Sequence, residues 1–479
     1  MEKIETVTVE ELVVEEQQKA PMLDAFFRIH DFLVAHSFMP IRRQLMDEIN
    51  WDHRLIAIKG GRGVGKTDFL LSRVKEIETE WKNTPEPVVK GRRKKRKPLS
   101  EMRPCLYVNF NDFYFTENSL LDLAREFVKE GGRYLFLDQL FKYPNWSREL
   151  KRCYNRFKAL HIIFCATPVM PIDEENNDLK DIAETYNLRG FSFREYLNLQ
   201  TGLRFQSYSL EELMQRHASI SREICSRVRP LDYFKAYLHH GYYPSYLESK
   251  SFEAELLKTM NSQLEVDVLM IKQIDVTCLH KLRKLMQILL REAPCALNIS
   301  NISEEIGLSR ATTMNYIKYL KEAYILIGVK KFSSKSKLRI IGEKLYAIDV
   351  AMMNQRDNAF AGENLGWRLE TIVLLHLIRK CKNEGWDVYY LNDRSGECDF
   401  VVCDGNRVLQ CIQVSYDISS EKTRKREING LLLAHRQTKC ENLLLLTDHQ
   451  YEELEIDGLH IHIKPVYEWS AGFFDDNSY

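Results

Sequence analysis

The sequence has no apolar run approaching the roughly 18 consecutive residues that a bilayer-spanning helix needs. Its longest, around Leu135, Ile162, Val373 and Leu443, are far shorter, so no membrane partner is expected. An excess of one charge is also missing. Sixty-eight basic side chains balance 68 acidic ones, and no net field draws the chain toward nucleic acid; any such partner must be met by a local patch. The eleven cysteines include no CxxC pair, and Cys165 and Cys411 lie inside apolar runs. Reduced, buried thiols in a cytoplasmic protein are therefore expected, rather than disulfides or a zinc site. No export signal is expected either: the first residues, Glu2, Lys3 and Glu5 followed by Glu10, Glu11, Glu15 and Glu16, are the opposite of a positively charged leader with an apolar core. Repeats of fixed period are absent, which excludes solenoids and propellers.

What is present is globular material for more than one core: 479 residues, 44% of them hydrophobic, divide into about three units of ordinary domain size. The clearest local pattern is Gly60-Gly61-Arg62-Gly63-Val64-Gly65-Lys66-Thr67, followed by Asp68. It lies between an apolar strand, Leu55–Ile58, and a helical run from Thr67 to Trp81, the setting that a G-x-x-x-x-G-K-[ST] phosphate loop requires. The glycines let backbone N–H groups turn toward an anion, and the helix start adds its positive dipole end. Lys66 is expected to hold the β- and γ-phosphates of ATP, and the Thr67 hydroxyl to coordinate Mg²⁺.

A carboxylate at the end of a neighbouring strand is needed as well. Tyr134-Leu135-Phe136-Leu137-Asp138 supplies one, with Asp138 expected on the metal's water shell and Gln139 next to it. Gln can orient water but cannot take its proton, so nucleotide binding with slow turnover is expected. The strand His161–Cys165 ends in Ala166-Thr167, where Thr167 either senses the γ-phosphate or caps a turn. Arg189 is a second candidate sensor, and Arg62, Arg148 and Arg152 are weaker ones. Strands at Leu55–Ile58, Cys105–Phe110, Tyr134–Leu137 and His161–Cys165, alternating with helical stretches, predict a mainly parallel sheet.

The loop GGRGVGKT, the strand YLFLDQ followed by Tyr143-Pro144-Asn145-Trp146, and RGFSFREYL resemble prokaryotic AAA+ superfamily ATPases in which the ATPase domain is followed by a winged helix and a restriction-endonuclease-like domain. The resemblance runs through nearly the whole chain after residue 25. It departs at Gln139, where relatives usually carry Glu, and at Ala166-Thr167, where they often carry Gly-Ser.

Between Asn301 and Ala323 the spacing is that of a helix-turn-helix. Asn301 with Glu304 forms a capping box, Gly307 breaks the first helix, and Ser309 caps the second. Ala311, Met314, Ile317, Leu320 and Tyr324 are expected inward, leaving Arg310, Thr312, Thr313, Asn315 and Lys318 for phosphates or base edges. Ile325–Phe332 and Leu338–Ile348 would form a wing. Such a unit either contacts DNA or merely packs between domains. Lys90–Lys97, seven basic residues in eight, is either a nucleic-acid contact or a solvated loop.

Toward the C-terminus, Glu370 on an apolar helix, Asp399 at the start of one strand and Gln413 on the next fall in the order of a metal-dependent nuclease site. The restriction-endonuclease-like fold uses Asp and Glu-x-Lys. Here the triplet is Gln413-Val414-Ser415, without its Lys, so a degenerate nuclease domain is expected.

The expected fold class is thus α/β: a P-loop NTPase parallel sheet with helices, then a helical and winged-helix unit, then a second small α/β nuclease-like domain. The expected boundaries are a mobile acidic arm (1–20), the ATPase domain (21–205), a helical lid or linker (206–278), the winged helix (279–350) and the nuclease-like domain (351–479). The expected activity is that of an ATP- and Mg²⁺-binding switch with slow hydrolysis, able to form a homo-oligomer. The alternative is an ATP-dependent DNA-processing protein or nuclease using Arg310, Asn315, Lys318 and Lys90–Lys97.

Overall fold

A computed structural model describes residues 9–37, 41–84, 102–172, 174, 177–206, 219, 222–240, 243–244, 251–333, 342–356 and 365–471. The chain divides into two compact units, Met1–Gly61 with Gly65–Arg189, and Arg62–Val64 with Gly190–Tyr479. Lys90–Lys97 lies outside the described residues.

The first unit contains helix α1 (Val9–His36), the single turn α2 (Leu45–Glu48), β1 (Leu55–Lys59), α3 (Lys66–Lys82), β2 (Cys105–Asn109), α4 (Leu120–Lys129), β3 (Tyr134–Asp138), α5 (Trp146–Arg156), β4 (His161–Ala166) and β5 (Glu184–Asn187). Helix α1 starts at Val9, so most of the segment expected as a mobile arm is helical. All five strands run parallel in the order β2-β3-β4-β1-β5. Strands β1 to β4 are continuous apolar runs because helices cover a parallel sheet on its faces, leaving no solvated side for polar residues to alternate onto. Leu55, Ile56, Ala57, Leu135, Phe136 and Phe164 are fully buried. His30 fastens α1 to this layer: Tyr107 N–H donates to its Nδ1 at 2.9 Å, while Nε2 lies 3.0 Å from Glu78 of α3.

The second unit begins with α6 (Phe193–Thr201), which opens on a capping box between Ser192 and Glu195. It continues through α7 (Pro230–His240), α8 (Phe252–Ser262) with a π-helical extension over Gln263–Met270, α9 (Leu279–Glu292), β6 (Cys295–Ala296), α10 (Ile299–Ile306), α11 (Arg310–Glu322), β7 (Leu326–Lys331) and β8 (Glu343–Ala347). The last stretch holds α12 (Leu365–Glu384), β9 (Asp387–Asp393), β10 (Gly396–Asp404), β11 (Arg407–Val414), α13 (Glu421–Thr438), β12 (Leu443–Thr447), β13 (Glu452–Ile456), β14 (Leu459–Pro465) and α14 (Val466–Ala471). The segments expected as separate third and fourth domains share one nine-stranded sheet, β13-β14-β12-β11-β10-β9-β7-β8-β6. Their join is a short parallel pairing of Lys330 and Lys331 with Tyr389 and Tyr390.

Several local expectations need correcting. Helix α10 is capped by Asn298, whose side chain accepts the Asn301 N–H, and not by a box between Asn301 and Glu304. Gly307 at φ 68° ends it, and Ser309 caps α11 as expected. The buried face of α11 is Thr313, Tyr316, Ile317 and Leu320, whereas Met314 is 59% exposed. A polar contact sets this rotation: Ser303 Oγ donates to Thr313 Oγ1 at 3.0 Å, giving Thr313 a buried partner that hydropathy alone does not foresee. Arg310, Asn315 and Lys318 remain exposed.

Helix α13 presses Gly430 onto β10. A Cβ there would stand 2.2 Å from the Glu397 carbonyl oxygen and 3.2 Å from Gln413 Oε1. Gly430→Ala must push the helix off the strand, and thermal unfolding should show a loss of about 1–3 kcal/mol.

Candidate functional site

In the first unit, β4 lies between β1 and β3. The turns leaving the three carboxyl ends therefore meet at one sheet edge, where ligands of open α/β folds bind. The loop after β1 brings Lys66 and Thr67, the end of β3 brings Asp138, and the residue after β4 is Thr167. Gly60 N–H donates to the Ala166 carbonyl at 3.2 Å, tying the loop's start to β4. Gly65 takes φ 86°, a left-handed conformation that a side chain would strain, and α3 starts immediately after it.

The Lys66 ammonium folds back on its own loop, donating to the Gly60 and Gly61 carbonyls at 2.7 Å each. Thr67 Oγ1 donates to Asp138 Oδ2 at 2.6 Å, and Tyr107 O–H reaches the same oxygen at 2.9 Å. The other carboxylate oxygen of Asp138 accepts the Gln139 N–H at 2.8 Å. Asp138 is thus buried and aimed by three donors, of which Tyr107 was not singled out from the sequence. The pairing of β2 with β3, which no local motif encodes, sets Tyr107 against Phe136, two residues before Asp138 and so on the same face of the sheet.

Thr167 is buried, and its hydroxyl has no hydrogen-bond partner among the described residues. An orphaned hydroxyl beside a glycine loop suits an oxygen-rich ligand. Arg189 follows β5 at the same sheet edge: Leu188 N–H donates to the Lys59 carbonyl at 2.8 Å, and the Arg189 carbonyl accepts from Arg43. Asp68 lies in the first turn of α3. Arg152 pairs with Glu149 of its own helix at 2.6 Å, and Arg148 is exposed. The chemistry of this donor set fits a magnesium-bound nucleoside triphosphate: an ammonium, a hydroxyl next to a carboxylate, an orphaned hydroxyl and the N–H groups of a helix start.

The loop's tip, Arg62, Gly63 and Val64, groups with the second unit. There the Arg62 guanidinium makes a bidentate pair with the buried Asp267 carboxylate, 3.0 Å from each oxygen. So Arg62 is committed to an ion pair.

A second polar cluster lies wholly in the second unit. Glu370 of α12, Asp399 of β10 and Gln413 of β11 come together as their order along the chain suggests, although Asp399 sits inside β10 and not at its start. Gln413 Oε1 accepts the Asp399 N–H at 3.2 Å, and its Nε2 donates to Glu427 of α13 at 2.6 Å. The lysine missing from the triplet is present in space. Lys344 of β8 places its ammonium 2.8 Å from Glu370, 2.6 Å from Glu397 and 3.8 Å from Asp399. Lys344 and Glu397 could not be found from the sequence, because β8 reaches the cluster only through the tertiary fold. The basic run after β11 is spent on ion pairs: Arg424 with Glu452, Lys425 with Glu421, and Arg426 with Glu427.

Among the described residues no helix is long and apolar enough to cross a membrane. The eleven cysteines are all free.

Residues 52–197 match a family model described as an AAA domain, and residues 231–362 match a domain of unknown function. An uncharacterized protein of Methanocaldococcus jannaschii is 25% identical over 395 residues, which cover 77% of this chain and 82% of that protein. Among solved structures, a RuvB variant of Thermotoga maritima is 14% identical, covering 57% of this chain and 81% of that one at a TM-score of 0.22. AMPPCP-bound DnaA from Aquifex aeolicus is 12% identical, covering 62% and 87% at a TM-score of 0.22. The five-stranded parallel sheet, its glycine loop and the family match agree: the first unit has the P-loop NTPase fold, and residues 52–197 are similar to AAA domains.

Proposed function

We propose that the protein is an ATP-binding, slowly hydrolysing ATPase of the AAA+ type whose nucleotide acts as a switch. The observation that carries this reading is the meeting of Lys66, Thr67, Asp138 and the orphaned Thr167 hydroxyl at the carboxyl ends of β1, β3 and β4. Lys66 exchanges its two carbonyl partners for the β- and γ-phosphates. Thr67, whose hydroxyl now donates to Asp138, and Asp138 itself are the residues that would hold Mg²⁺, Thr67 directly and Asp138 through water. Mg²⁺ supplies charge neutralisation on the phosphate oxygens. Thr167 donates to the γ-phosphate, and Arg189 stands at the same edge as a further sensor. ADP cannot make the γ-phosphate contacts, so the two nucleotides bias the site differently. Gln139 positions water without taking its proton, which sets turnover low.

The second unit contributes a winged helix built from α9–α11 with β6–β8, and a nuclease-like sheet that does not cut, in a protein of the cytoplasm. Tight binding of ATP with turnover well below the roughly 10 s⁻¹ typical of enzymes is the expected outcome of calorimetry and phosphate-release assays on the purified chain. Absence of ATP binding would end the reading.

One observation favours a DNA-processing alternative: Arg310, Asn315 and Lys318 are exposed on one helix that follows a tight turn, the geometry of a recognition helix. Were this face to hold DNA, affinity should fall steeply and linearly in log–log form as salt rises, and alanines at the three positions should flatten the slope by about 1–2. Fluorescence anisotropy of a labelled duplex decides it; no binding at low salt removes the alternative.

A further inference from the structure

We propose that Lys344 is the resident cation of the Glu370–Glu397–Asp399 cluster, its ammonium holding the place a divalent metal would need, so that this sheet is locked against metal-dependent cleavage. The inference deepens the reading of a nuclease-like sheet that does not cut, and it is independent of the ATP site.

A catalytic metal requires carboxylates that converge on open space, with oxygens about 2.0–2.1 Å from Mg²⁺. Here the point of convergence is an ammonium nitrogen. Lys344 is only 8% exposed, and its nitrogen lies at hydrogen-bonding distance from Glu370 and Glu397 and 3.8 Å from Asp399. Each carboxylate is also held by another donor. Tyr346 O–H binds Glu370 at 2.7 Å, Asn392 Nδ2 binds Glu397 at 3.0 Å, and Val414 N–H binds Asp399 at 2.9 Å. These bonds aim the acids at the ammonium. Gln413, where a ligating Glu would be needed, spends its oxygen on the Asp399 N–H and its amide group on Glu427. The residues present do not fit a divalent ion while Lys344 is in place, because a second cation would have to displace an ammonium that already satisfies two carboxylates.

The lock has a structural consequence. In the sheet, β8 is separated from β10 by β7 and β9. Lys344 therefore fastens the β7–β8 pair to α12 and β10 in addition to the backbone pairing. Burial, then the neighbouring Glu370 charge, raise the Asp399 carboxyl well above the usual range, which eases the excess of negative charge around a single ammonium.

The test uses the full chain without nucleotide, so the phosphate loop holds no metal. Wild-type protein titrated with Mn²⁺ and followed by electron paramagnetic resonance should show no bound ion, and with Mg²⁺ or Mn²⁺ it should leave single-stranded, duplex and branched DNA intact. Lys344→Met should lower the unfolding midpoint by about 10 °C, since it strands buried carboxylates. It should also gain a bound Mn²⁺ that restores part of the loss. Lys344→Arg, which keeps the charge, should gain none.

A folded Lys344→Met protein that takes up no Mn²⁺ overturns the proposal. Should Lys344→Met fail to fold, the wild-type and Asp399→Asn proteins decide. Mn²⁺ bound by wild type and lost in Asp399→Asn, without cleavage, overturns the lock but leaves the sheet non-cutting. Cleavage by wild type that Asp399→Asn abolishes overturns both, and makes Lys344 a working lysine of a nuclease.

Discussion

Lys66→Ala should lower ATP affinity at least about a hundredfold. Hydrogen bonds to a charged partner contribute about 1.5–3 kcal/mol each, and every 1.4 kcal/mol is tenfold in affinity; in the proposed binding mode Lys66 meets two phosphates. In the structure it donates to the Gly60 and Gly61 carbonyls, so the variant also frees two acceptors in the loop. Gly60 and Gly61 are buried, so the two freed carbonyls also cost some stability, and the fold should survive with a midpoint lowered by several degrees. Calorimetric titration with ATP and Mg²⁺, beside a thermal scan, separates the two effects. Undiminished affinity in a folded variant would remove Lys66 from the phosphate site.

Gln139→Glu should raise the turnover number by about a hundredfold at saturating ATP, with little change in ATP affinity. In the proposed site, the side chain next to Asp138 is an amide. A correctly placed general base contributes 10²–10⁴-fold, whereas an amide only orients water. The substitution is close to isosteric. Gln139 has φ 58°, and Glu keeps the same backbone demands and the N–H that donates to Asp138. Phosphate release measured with and without Lys66→Ala in the same chain shows whether the gain passes through the nucleotide. Unchanged turnover in Gln139→Glu would mean that position 139 does not face the attacking water.

Much of the candidate site was legible in the sequence for a local reason. A phosphate loop is a contiguous run of eight residues between a strand and a helix, and each glycine and the Lys-Thr pair have their roles within that run. Asp138 could be read because an apolar strand ends in it. Tyr107 could not: it lies in an apolar strand like any core tyrosine, and only the pairing of β2 with β3 turns its hydroxyl to Asp138. The face of α11 was misassigned because Met314 counts as apolar and Thr313 as polar, while the buried hydrogen bond from Ser303 outweighs that difference.

The amino-acid sequence by itself determined the parallel sheet, the phosphate loop and the candidates Lys66, Thr67 and Asp138, since strand hydropathy and a glycine-rich turn are properties of short segments. It also marked Glu370, Asp399 and Gln413 as neighbours in waiting. What fills the space between them was decided only by tertiary structure. Lys344 comes from a strand more than twenty residues before Glu370 and more than fifty before Asp399. Its ammonium enters the cluster because β7 pairs with β9 and carries β8 alongside. Electrostatics at a buried site depend on which charges share it, and that list is written by the packing of distant strands rather than by any spacing along the chain.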